Sequence, residues 1–119
     1  MRLIMDGGEP TMKLTIRARH IDLPSELRDQ IHRRLHFALG RFASEFHSVD
    51  LSISDLNGPK GGADKQCRIQ IRGRAVGTVV IEHVGSEILP VVSLAADRAE
   101  RAVVRGLARG RRFGPALIA

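Results

Sequence analysis

Residues 13–42, "KLTIRARHIDLPSELRDQIHRRLHFALGRF", change hydrophobic period midway, and that change decides the fold. Over 13–19, Leu14, Ile16 and Ala18 alternate with Thr15, Arg17 and Arg19, the period of two that a half-buried strand requires. From residue 22 onward Leu27, Ile31, Leu35, Ala38 and Phe42 recur at three and four residues, which stacks them along one side of a helix. Pro24 suits the first helical turn, where its missing N–H is not needed, and Gly40 weakens the far end.

Downstream, "SVDLSIS" (48–54) returns to period two with Val49, Leu51 and Ile53 inward. The turn-rich "DLNGPKGGADK" (55–65) separates it from "QCRIQIRGR" (66–74), where Cys67, Ile69 and Ile71 alternate with Arg68, Gln70 and Arg72. After a turn over 74–77, "TVVIEHV" (78–84) supplies a fourth strand, and a last helix is expected to start between Ser86 and Ile88, with Pro90 tolerated in or just after its first turn. Three consecutive strands joined by short loops predict an antiparallel meander, and two amphipathic helices can cover one face of a four-stranded sheet. The fold class is α+β, a two-layer βαβββα sandwich.

At 119 residues the chain is sized for one core. Residues 1–11 read as a flexible leader, with Met12 as an alternative start, 12–112 as the folded domain and 113–119 as a short C-terminal tail. The single Cys67 excludes an internal disulfide and fits a reducing cytoplasm, the expected location. No apolar run approaches the ~20 residues of a membrane span, and "MRLIM" is too short for a signal-peptide core.

Formal net charge is +6, and it is unevenly spread. "DRAERAVVRGLARGRR" (97–112) holds six arginines, two acids and no lysine. On a helical wheel Val92, Ala95, Ala96, Ala99, Val103 and Gly106 form the core side, while Arg98, Arg101, Arg105, Arg109 and Arg112 gather opposite. Asp97 can pair with Arg101 at i,i+4, but like charges three and four residues apart oppose helix formation until something anionic meets them. A solvated polar face with Arg near the helix C-terminus explains Arg109 and Arg112 better than Arg98 and Arg101, and leaves the absence of Lys unexplained. The guanidinium fork matches phosphate bidentately.

The first helix adds Arg28, Arg33, Arg34 and Arg41, with Arg34 and Arg41 on one flank of its core stripe and Arg28, His32 and His36 on the other. Arg17, Arg19, Lys65, Arg68, Arg72 and Arg74 spread more charge over strands and turns. Aromatics are scarce, four Phe with no Trp or Tyr, and Phe42 and Phe46 read as core, leaving Phe37 and Phe113 for the surface. A nucleic-acid partner is therefore expected to be held by its phosphates and shape rather than by base stacking.

Chemistry finds no footing in the residues. "GPKG" (58–61) matches a GxxG, but it lies between strands rather than helices, and "NGPKGGADK" does not fit GxxxxGK[ST]. His32 and His36 have zincin spacing, yet Arg33 stands where a general-base Glu is needed and no third ligand is evident. Cys67 falls in step with Ile69 and Ile71 as a small core residue. No catalytic residue, metal site or cofactor is predicted.

With this order of elements the chain resembles the short form of the ribosome hibernation promoting factor and ribosome-associated inhibitor family, the S30AE domain, over about residues 12–112. The similarity rests on Leu14, Ile16, Ile21, Leu27, Arg28 and Phe42 in "LTIRARHIDLPSELRDQIHRRLHFALGRF", on "DLNGPKGGADKQCRI" and on the basic last helix. It departs from the family pattern where Leu89 replaces a Tyr, Pro90 intrudes, Ser93 replaces an Asp and Pro24 replaces a capping Thr or Ser. The resemblance implies a fold like that of double-stranded-RNA-binding domains. It also implies docking on the small ribosomal subunit in the mRNA and tRNA path, steric inhibition of translation under stress, and ribosomal RNA contacts from Arg28, Arg33, Arg34, Arg98, Arg101, Arg105 and Arg109. The protein is expected to be a monomer off the ribosome, to have no membrane or small-molecule partner, and to need another factor for any ribosome pairing. Two other readings stay open: a σ54-modulating type of protein-interaction module, and a binder of double-stranded RNA outside the ribosome.

Overall fold

The computed structural model describes residues 13–56 and 64–118, with side chains through 109. The leader 1–11, Met12, the "GPKG" segment and residue 119 lie outside the described residues, as do the side chains of Arg112 and Phe113. The elements run β1 (Leu14–Arg19), α1 (Ser25–Leu39), a 3-10 segment (Gly40–Glu45), β2 (Ser48–Asp55), β3 (Lys65–Gly73), β4 (Gly77–Gly85) and α2 (Ile88–Ile118). α2 is longer than expected, because residues 113–118, read above as a tail, continue the helix.

The sheet has the order β1-β2-β3-β4. β1 pairs parallel with β2, Ile16 opposite Leu51, which is what a crossover through α1 permits. β2, β3 and β4 form the antiparallel meander, with Ile53, Cys67 and His83 in one row. Alternation therefore sends Val49, Leu51, Ile53, Cys67, Ile69 and Ile71 to the helix side, where all are buried. They meet Ile31, Leu35, Ala38 and Leu39 of α1 and Val92, Ala95, Ala96, Ala99 and Val103 of α2. Leu14 and Ile16 of the edge strand β1 only flank this core, and Ala18, expected inward, is exposed because the helices do not reach that corner.

Two glycines shape the β3–β4 hairpin. Gly77 has φ 75°, a left-handed conformation that favours a residue without Cβ. A Cβ on Gly73 would come within 2.1 Å of the Glu45 carbonyl oxygen, so the 3-10 segment can lie against β3 only over glycine. Pro24 is the N-cap of α1 rather than part of its first turn, with no side-chain cap; its carbonyl accepts from the Arg28 N–H at 3.0 Å. At the mouth of the β2–β3 loop the Leu56 N–H donates to the Asp64 carbonyl at 2.7 Å, and the Lys65 ammonium bridges Asp64 at 2.8 Å and Asp55 at 3.5 Å.

Candidate nucleic-acid interface

Along the middle of α2 the buried face is mostly of small residues, set among Val92, Val103 and Leu107, and this sets what its other side can do. Ala95, Ala96 and Ala99 are fully buried, and Gly106 lies so near Val76 that a Cβ there would meet its methyl at 3.0 Å. A helix seated this closely presents the opposite arc outward, and Arg98, Arg101, Arg105 and Arg109 are all exposed on it. Arg98 leans towards the sheet and donates to the Glu82 carbonyl of β4 at 2.7 Å. Arg101, Arg105 and Arg109 have no hydrogen bond or ion pair with the described residues.

The two acids of this stretch are occupied from across the interhelical groove. Asp97 binds the Arg34 guanidinium rather than Arg101, and Arg34 also donates to the Ser93 carbonyl at 3.3 Å. Two turns beyond Arg34, Arg41, which falls at the start of the 3-10 segment rather than on the first helix, pairs with Glu100, one turn beyond Asp97, at 2.8 Å, its guanidinium 4.4 Å from the centre of the Phe42 ring. These contacts advance together, so α1 and α2 run in the same direction side by side. The two acids thus act as clasps towards Arg34 and Arg41, and the outer arginines of α2 keep no ion pair among the described residues. Arg34 and Arg41 are correspondingly committed: Arg34 is three-quarters buried, and its Nη1 has no hydrogen-bond partner.

On the rest of α1, Arg33 is exposed and unpaired among the described residues, beside the stacked rings of His32 and His36 at 6.1 Å between centres. Phe37, 82% exposed, lies next to Arg34, the guanidinium carbon 5.8 Å from its ring centre. Arg28 turns the other way and donates to the Ile16 carbonyl of β1 at 2.9 Å. The structure therefore brings Arg33, Arg101, Arg105 and Arg109 to the outer side of the helical layer as available cations. It places Arg28 and Arg98 at the two sheet margins with one nitrogen each engaged, and sets Arg34 and Arg41 between the helices.

The candidate chemistry of other groups is limited. Among the described residues no cluster of three or more His, Cys, Asp or Glu is placed to hold a metal ion. Burial pushes the Cys67 thiol up to about 12, which removes the thiolate needed for nucleophilic attack. No described helix is long and apolar enough to cross a membrane. The exposed guanidiniums of Arg33, Arg101, Arg105 and Arg109 are a donor set suited to phosphate oxygens. The residues not foreseen as a group are the outward arginines of β1 and β3, although strand alternation alone assigns them to one face.

No curated protein matches the chain in sequence. Several solved structures share the fold, two of them as follows. A ribosomal subunit interface protein from Coxiella burnetii matches with a TM-score of 0.68 at 14% identity, covering 82% of this chain and 99% of that one. The N-terminal domain of Thermus thermophilus Protein Y matches with a TM-score of 0.64 at 22% identity, covering 79% of this chain and 98% of the other. The family model described as sigma 54 modulation protein / S30EA ribosomal protein matches residues 14–111, from the first residue of β1 to the arginine-rich turns of α2. The chain with this arginine-faced βαβββα sandwich belongs to the sigma 54 modulation protein / S30EA ribosomal protein family.

Proposed function

We propose that the protein is a ribosome-associated inhibitor of translation that binds RNA of the small ribosomal subunit through the outer face of its helices and preserves idle ribosomes under stress. The observation that carries this is the pairing of Asp97 and Glu100 with Arg34 and Arg41, which leaves Arg101, Arg105 and Arg109 as outward cations with no ion pair among the described residues. An exposed ridge that repels itself is stabilised by a polyanion. The family description and the name of the Coxiella neighbour support the ribosome as the source of that polyanion. The mechanism is steric: a plug in the path of mRNA and tRNA, held by phosphates, with no bond made or broken.

Sedimentation of lysate from starved cells tests it. The protein is expected to travel with small subunits or whole ribosomes and to be released by high salt, and an R101E/R105E/R109E variant is expected to stay at the top of the gradient while keeping its circular dichroism spectrum. Migration of that variant with ribosomes at the wild-type level would overturn the assignment. A second reading follows from the other half of the family description, modulation of a sigma factor. It predicts an acidic protein on the same ridge, and the same gradient separates the two, because that complex is small and contains no ribosomal RNA.

A further inference from the structure

The face of the sheet turned away from the helices is not bland. Alternation places Arg17 and Arg19 of β1 and Arg68 and Arg72 of β3 on it, all exposed. The register aligns Arg17, Ser52 and Arg68 in one row across three strands, and Arg19, Ser54 and Gln66 in the next. The result is a shallow trough along β2 with a floor of small hydroxyl side chains and walls of arginine, roughly 10 Å apart at the backbone for two strand spacings.

Its charge is positive where it is accessible. Four arginines face two acids, Asp50 towards one end of the floor and Glu82 beyond Arg68, 3.6 Å from the Arg68 Nε. Arg17 and Arg19 have no hydrogen bond or ion pair with the described residues. None of the described residues lining the trough is aromatic, so it offers no platform for a base. Guanidiniums beside serine hydroxyls and glutamine amides are instead the donor set that meets phosphate and ribose oxygens. Each end holds one acid: Glu82 at the Ser52–Ser54 end is paired with Arg68, whereas Asp50 has no ion pair among the described residues, so an anion meets less unpaired negative charge at the Ser52–Ser54 end.

We infer that this trough is a second anion site that takes the sugar-phosphate backbone of another RNA segment, so that one chain joins two RNA segments, one on each face. The inference rests on the proposed function for the first segment only; the trough stands on its own residues.

The test uses the full chain, a short RNA duplex labelled with a donor fluorophore and the same duplex labelled with an acceptor, at physiological salt. Analytical ultracentrifugation counts duplexes per chain, and energy transfer reports whether two are joined. The wild type is expected to bind two duplexes and to give energy transfer that fades again at excess protein. R17Q/R19Q is expected to bind one duplex with no transfer, and R101E/R105E/R109E likewise one, with circular dichroism unchanged in both. A wild type that binds one duplex, unaffected by R17Q/R19Q and lost in the ridge variant, would overturn the trough and leave the proposed function intact. One duplex lost in R17Q/R19Q and kept in the ridge variant would support the trough and remove the ridge. Absence of RNA binding in every form would end both. Displacement of the trough-bound duplex by equimolar polyglutamate would overturn RNA as the occupant in favour of an acidic polypeptide.

Discussion

Replacing Arg101, Arg105 and Arg109 by Gln removes three guanidiniums that pair with nothing among the described residues, so the loss of binding is electrostatic and can be sized. Each phosphate neutralised on a nucleic-acid duplex contributes about 0.9 to the slope of log affinity against log salt. Three such contacts make the wild-type slope steeper by roughly 2.7. Between 50 and 200 mM salt this means that the wild type loses about 40-fold more affinity than the variant. The assay is fluorescence anisotropy with a labelled RNA duplex over that salt range, carried out in an R17Q/R19Q background so that the sheet face does not contribute. Because all three side chains are exposed, the melting temperature should hardly move. Slopes that agree to within about 0.5 would refute phosphate contact by these residues and, with it, the ridge as the RNA-binding surface.

Three further outcomes follow from the described contacts. D97N/E100Q removes both interhelical clasps; stability should fall by about 1–2 kcal/mol in a urea titration, a range discounted for the partial exposure of both pairs, while RNA affinity at low salt should rise, and a joint fall would count against the clasps acting as neutralisers. Cys67 is protonated in the folded protein up to about 12 whereas an exposed thiol ionises near 9.0, so stability from this group is intact below about pH 9 and is lost as pH climbs towards 12, at roughly 1.4 kcal/mol per unit. The difference between wild type and Cys67→Ala in urea midpoints should therefore change between pH 8.5 and 10.5, and parallel curves would contradict it. Gly73→Ala drives a Cβ into the Glu45 carbonyl and should cost about 1–3 kcal/mol, read as a lowered melting temperature, while Gly77→Asn, which tolerates a left-handed φ, should cost less.

Local periodicity carried most of the fold. Val49, Leu51 and Ile53, or Ala95, Ala99 and Val103, announce their elements because burial on one face imposes a period of two or 3.6 on the sequence itself. The parallel pairing of β1 with β2 follows from the crossover, but the exposure of Ala18 does not, since it depends on how far the helices extend over an edge strand. The arrangement of the candidate site's residues was legible in outline and not in detail. A wheel shows which side Arg101, Arg105 and Arg109 occupy, because that is a property of one helix. It cannot show that Asp97 prefers Arg34, which is 63 positions away, to Arg101 four positions on; that choice is made by the packing of α1 against α2. For the same reason Arg28 and Arg98, alike on paper to their neighbours, turn out to reach carbonyls of β1 and β4.

The bond from Arg98 to the Glu82 carbonyl has a bearing on solubility. β4 is an outer strand, and a bare row of peptide groups at such a margin invites strands from other molecules to add on. With Val80 and Val84 exposed along the same strand, that invitation would be strong in a crowded cell. A bulky cation seated on one of those carbonyls interrupts the row and confronts any incoming copy with its own like charge, so the residue type on which the proposed RNA binding rests also stands against addition of one copy to the next.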